Sequence, residues 1–108
     1  MTPINGFDEL AAATARGMSI VFFHRPTCPI CQDMKPVVEE AERALANGKV
    51  RFVSVNLDGW GNGYMERRFN IDGTPSLVWF IDGRPVYGLI GMRELEEIVR
   101  ETERIEKR

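Results

Sequence analysis

Apolar residues along the chain follow two different spacings. Residues 18–23 (MSIVFF) form an unbroken apolar and β-branched run, the pattern of a strand covered on both faces. Residues 50–57 (VRFVSVNL) alternate through Val53, Val55 and Leu57 and give a second strand. Residues 76–81 (SLVWFI) and 85–90 (PVYGLI) flank Asp82 and Gly83, a turn pair that predicts an antiparallel hairpin. Pro85 cannot donate to a ladder, which places the second arm at a sheet edge.

Helical spacing fills the intervening stretches. From Pro29 to about Asn47, the apolar positions Ile30, Met34, Val37, Val38, Ala41 and Leu45 recur on one face, and Asn47-Gly48 ends the pattern. Pro29 suits the first turn of this helix, whereas Pro36 falls inside it and is expected to kink it. Residues 7–16 form a shorter helix with Phe7, Leu10 and Ala11 on one face and Gly17 as its stop. Leu95, Ile98, Val99, Thr102 and Ile105 mark the inner face of a closing helix over 92–106. Its outer face is charged, with pairs such as Glu96 and Arg100. The glycine-rich stretch 58–63 (DGWGNG) predicts a loop, with a short helix over 63–69 after it. The order is helix, strand, helix, strand, short helix, hairpin, helix, without repeats or linkers, which is an α/β sandwich.

A chain of 108 residues suits one domain over 1–108, because a second core would leave too little chain to cover either. With 44% hydrophobic and 28% charged residues, it has an ordinary globular composition and needs no metal to fold. The net charge of −2 comes from interleaved acids and bases, so no basic stripe offers a surface for nucleic acid. The apolar runs are too short to cross a bilayer, and MTPINGFDEL is not a basic-then-apolar leader. These features predict no membrane partner and a cytoplasmic location, or a periplasmic or secreted one if a leader has been removed.

The chemistry is concentrated in Cys28 and Cys31, the only cysteines. A disulfide across two residues closes too small a loop to stabilise the chain much, so its value is chemical. A cysteine at a helix start has its sulfur near unpaired amides and the positive end of the macrodipole, which favours thiolate over thiol. Cys28 sits there, and Cys31 lies one turn inside, able to resolve a sulfur bonded to Cys28. His24 and Arg25, just upstream, are candidates to stabilise the thiolate by positive charge if they point towards it. The bland readings are a buried reduced cysteine pair and a solvated or hydrogen-bonded histidine at a strand end. Zinc needs about four ligands, and two cysteines with one histidine fall short, so neither metal nor cofactor is expected. Trp60 and Trp79 read as packing residues, Trp60 partly exposed in its loop. The tail ETERIEKR reads as a solvated helix end.

The central apolar strand, CPIC at the next helix start, Pro36 five residues beyond Cys31, and GTPS at 73–76 before a strand together resemble the thioredoxin family. The resemblance covers nearly the whole chain. It implies a thioredoxin fold, with a central mixed sheet of four to five strands flanked by helices on both faces. It also implies thiol:disulfide oxidoreductase activity on protein disulfides or dithiols, with a thioredoxin reductase or glutathione as redox partner, in a monomer. It makes Pro75 cis, and it assigns Thr74, Pro75 and Gly91 to substrate binding. Main-chain groups freed beside a cis bond can pair with an extended substrate, and a glycine at 91 allows close backbone approach. A simple helix-entry turn is the plain alternative for Gly91.

Two departures from the family pattern bear on mechanism. TCPIC replaces the usual WCGPC, so the dipeptide order is more like that of a glutaredoxin. Phe22 and Ser54 stand where reductants of the family commonly carry a buried aspartate and a lysine, which leaves solvent or His24 to take the proton of Cys31. Slower reduction is expected from that. A noncatalytic module that uses the Pro75 groove to hold an extended segment is the alternative from another class.

Overall fold

The computed structural model describes residues 1–107; Arg108, the last residue of the charged tail, lies outside them. The elements are β1 (Thr2–Pro3), α1 (Phe7–Thr14), β2 (Met18–His24), α2 (Pro29–Ala44), β3 (Val50–Asn56), α3 (Gly63–Arg68), β4 (Ser76–Ile81), β5 (Arg84–Ile90) and α4 (Leu95–Glu106). The strands form one sheet in the order β1-β3-β2-β4-β5. The apolar run of β2 lies at its centre, parallel to β3 and antiparallel to β4, and residues 18–23 are all buried.

Alternation along β2 divides the core. Ile20 and Phe22 face one way with Leu77 and Trp79, beneath Met34 and Val38 of α2 and Ile98 and Ile105 of α4. Val21 and Phe23 face the other way with Val53, Val55 and Phe80, against Leu10 of α1 and Met65 of α3. Helices thus cover both faces, and every residue of β2 up to Phe23 must be apolar or small. Trp79 and Thr102 link sheet to helix on the first side, where the indole Nε1–H donates to Oγ1 at 3.0 Å.

The hairpin forms as its turn residues require: Asp82 and Gly83 take φ of 49° and 85°, and β5 is an edge strand. The turn is also fastened to the α1–β2 loop, since Asp82 N–H donates to Gly17 C=O at 2.9 Å and Gly17 N–H donates to Asp82 Oδ1 at 2.8 Å.

Other boundaries differ from expectation. β1 has no sequence signal, being two residues long with a proline; it pairs parallel with Val53 and Ser54. α1 ends at Thr14, two residues short of the predicted end. α4 begins at Leu95 rather than Met92, because Glu94 is still extended, with φ −86° and ψ 158°. α2 runs unbroken through Pro36, whose nitrogen cannot donate to the carbonyl of Gln32. Its buried stripe is Cys31, Met34, Val38 and Ala41, so Ile30, expected on that stripe, instead faces solvent.

Candidate active site

Strand direction gathers four chain passages at one end of the sheet. The parallel strands β2 and β3 both finish there, with His24 opposite Asn56, and Leu57 N–H donates to His24 C=O at 2.8 Å. Antiparallel β4 starts there, with Ser76 opposite Phe23, and β5 returns to it, with Ile90 opposite Ser76. The segments around Cys28, Trp60, Pro75 and Gly91 therefore share one rim.

Cys28 is the N-cap of α2, extended at φ −104° and ψ 101°, with Pro29 supplying the first helical position. Its Sγ accepts the Cys31 N–H at 3.1 Å, so the sulfur occupies the place a capping oxygen usually takes. That amide and the helix end favour negative charge on this atom. The two cysteines are joined as a disulfide, with their Cα atoms 5.2 Å apart. The two sulfurs have unequal surroundings: Cys28 is half-buried, whereas Cys31 is only 2% exposed and packs in the layer of Phe22, Met34 and Leu77.

The Thr74–Pro75 bond is cis, Pro75 is buried and Thr74 half-buried. Gly91 N–H donates to Pro75 C=O at 2.8 Å, tying the two loops together. A Cβ at Gly91 would meet no protein atom within 4 Å, so the space before it is open; glycine is required instead by the φ of +93°.

The two upstream residues each have partners of their own. Arg25 turns to two carboxylates, with Nη1 2.5 Å from Asp58 Oδ1 and Nη2 2.6 Å from Glu66 Oε2. Those hydrogen bonds, Glu66 foremost, raise its pKa, and they clamp the loop after β2 to the loop after β3 and to α3. His24 stacks on Phe22, ring centroids 5.2 Å apart and 16° from parallel. Burial, and then the nearby Lys35 ammonium, hold its pKa below the usual histidine value, so the neutral imidazole prevails at pH 7. Its ring borders a cleft of about 350 Å³ that Lys35, Glu39, Ser54 and Asn56 also line. Phe22 and Ser54 lie side by side in the register of β2 and β3, and neither carries charge.

Three contributions had no clear sequence signal. Asp58 and Glu66 are the anchors of Arg25. Asn62, fully buried, fixes the glycine-rich loop by accepting from Gly6 N–H at 2.7 Å and donating to Asn56 C=O at 2.7 Å and Asn5 Oδ1 at 3.1 Å. Trp60 belongs to the same loop and is 97% exposed, not a packing residue.

The family model described as Thioredoxin matches residues 3–104. A thioredoxin from Alicyclobacillus acidocaldarius is 37% identical over 79 residues, covering 73% of this chain and 72% of that protein. Protein disulfide-isomerase tigA of Aspergillus niger is 30% identical over 72% of this chain, which spans only 21% of its length. Thioredoxin Y of rice chloroplasts is 23% identical over 92% of this chain and 56% of its own length. Among solved structures, Malassezia sympodialis thioredoxin superposes with a TM-score of 0.85 at 20% identity, covering 96% of this chain and 89% of that one. A Halobacterium salinarum thioredoxin variant gives 0.83 at 23% identity, with 95% and 88% covered.

Proposed function

This chain belongs to the thioredoxin family, and from that premise we propose that it exchanges disulfides with protein substrates through Cys28 and Cys31. The observation that carries the reading is the inequality of the two sulfurs: Cys28 caps a helix at the open rim, and Cys31 is sealed one turn beneath it.

In the reduced protein, Cys28 thiolate attacks one sulfur of a substrate disulfide. That bond breaks, the second substrate sulfur leaves as a thiolate, and a mixed disulfide remains. Cys31 then loses its proton to solvent or to the departing thiolate and attacks Cys28 Sγ. The mixed disulfide breaks, the substrate leaves with both sulfurs reduced, and two electrons have passed from the cysteine pair to the substrate. The same steps in reverse oxidise a dithiol. Thr74 offers main-chain groups to an extended substrate laid beside Pro75, and the open space before Gly91 admits its backbone.

The purified chain, supplied with reductant, is expected to reduce the disulfides of insulin, and Cys28→Ser to fall to background. Retention of activity by Cys28→Ser would refute the assignment. The cellular electron donor, a thioredoxin reductase or glutathione, is identified by which of the two sustains turnover.

A further inference from the structure

Trp60 occupies an unusual position for the largest side chain in the protein. Gly59 C=O accepts from Asn62 N–H at 3.0 Å, closing a four-residue turn with Trp60 at its first corner and Gly61 at φ +80° at its second. The turn cannot fold inwards to cover the indole. Asn62 is locked by its buried hydrogen bonds, and a Cβ on Gly59 would already lie 2.7 Å from Asn62 Nδ2. On the near side, Asp58 is held by Arg25, which is three residues from Cys28. The tryptophan is therefore presented on a fixed support at the rim that carries Cys28.

It is not alone there. Among the described residues, six large hydrophobic side chains are exposed: Ile30, Trp60, Tyr64, Val86, Ile90 and Met92. Ile30 lies between the two cysteines, while Ile90 and Met92 flank Gly91. With Trp60 these make four of the six, all on the rim that carries Cys28. The sheet order sets Trp60 on the β3 side of Cys28, and Pro75, Ile90 and Met92 on the β4–β5 side.

We propose that Trp60 is a docking residue for protein substrates, receiving an aliphatic or aromatic side chain within a few residues of the substrate's reactive cysteine. It lies on the flank opposite the one that holds the segment at Thr74–Pro75. The occupant follows from the sheet order: a chain joined to Cys28 and laid along Pro75 on the β4 side that continues past the sulfur comes to the β3 side of the rim, where Trp60 stands exposed. Tryptophan gives such a contact a large area at low conformational cost. The inference rests on the disulfide-exchange reading, and the experiment separates the two.

In Cys31→Ser, Cys28 is linked either to glutathione or to a synthetic decapeptide whose cysteine is flanked by leucine and phenylalanine, and quenching of tryptophan emission by acrylamide is measured. Trp79 is fully buried, so the quenchable signal belongs to Trp60, and Trp60→Phe supplies the baseline. The expected result is at least about a twofold drop in quenching with the decapeptide and none with glutathione. Equal quenching in both conjugates overturns the inference while leaving the exchange chemistry intact. Failure of both probes to form a mixed disulfide defeats the chemistry itself. In steady state, Trp60→Ala is expected to raise KM for insulin about fivefold or more, with Trp60→Phe restoring most of it; an unchanged KM likewise overturns the inference.

Discussion

Trp79 Nε1 donates to Thr102 Oγ1 at 3.0 Å in a fully buried contact between β4 and α4, and the same hydroxyl donates to Ile98 C=O at 2.7 Å. Thr102→Val preserves the shape and removes the acceptor, leaving a buried indole N–H without a partner. We expect a loss of about 1–3 kcal/mol in urea unfolding, with Thr102→Ser losing less. A valine variant as stable as the parent would show that the contact contributes nothing.

Asn62 provides a second test of buried polar chemistry. Its side chain serves Gly6 N–H, Asn56 C=O and Asn5 Oδ1 from a fully buried position. Asn62→Ala is expected to destabilise by about 2 kcal/mol. Asn62→Asp can still accept from Gly6 but sets a carboxylate against Asn56 C=O, so it should fare no better. Gly59→Ala, which drives a Cβ into the same amide, should mimic the defect. Denaturation midpoints of the three variants decide the matter.

His24 predicts a pH dependence of stability. Burial, and then Lys35, lower its pKa in the folded chain, so over the range where the histidine titrates the unfolded chain binds more protons. Its contribution is complete above the unfolded value of about 6.5 and is lost as pH falls through the folded pKa. The urea midpoint of His24→Gln should therefore fall less between about pH 7 and about pH 5 than that of the parent. Lys35→Gln should move the imidazole titration upwards by NMR. No movement would remove Lys35 as a cause.

The cysteine pair predicts unequal alkylation. After reduction, iodoacetamide should modify Cys28 well before Cys31, with a pH midpoint below that of an ordinary thiol, because the helix end favours the thiolate and Cys31 is shielded by Phe22, Met34 and Leu77. Peptide mapping during the time course reads both rates. Comparable labelling of the two would contradict the geometry.

The elements legible in the sequence are those whose signal is local. MSIVFF reads as a central strand because a strand covered on both faces tolerates no polar alternation, and Asp82-Gly83 reads as a hairpin because few other residue pairs adopt positive φ twice in succession. Cys28 and Cys31 are legible because a cap position and a first-turn position follow from spacing alone. What escaped depends on distant partners. β1 exists only because Val53 and Ser54 offer it a ladder. Arg25, three residues before Cys28, is paired with Asp58 and Glu66 from beyond the next strand. Ile30 keeps helical spacing but lies one position off the stripe that begins at Cys31, which turns it away from the sheet, and Trp60 stands on a turn fixed by an asparagine bonded to Asn5 and Gly6, far away in sequence, and to Asn56.

The depth difference between the two cysteines has a consequence for timing. On the proposed exchange chemistry a captured protein is tethered at a surface sulfur, but the atom that cuts the tether waits underneath, screened from the visitor by this chain's own packing. How long the partnership lasts is then set jointly, by the access of the buried Cys31 sulfur to its neighbour and by how good a leaving group the visitor's own sulfur is.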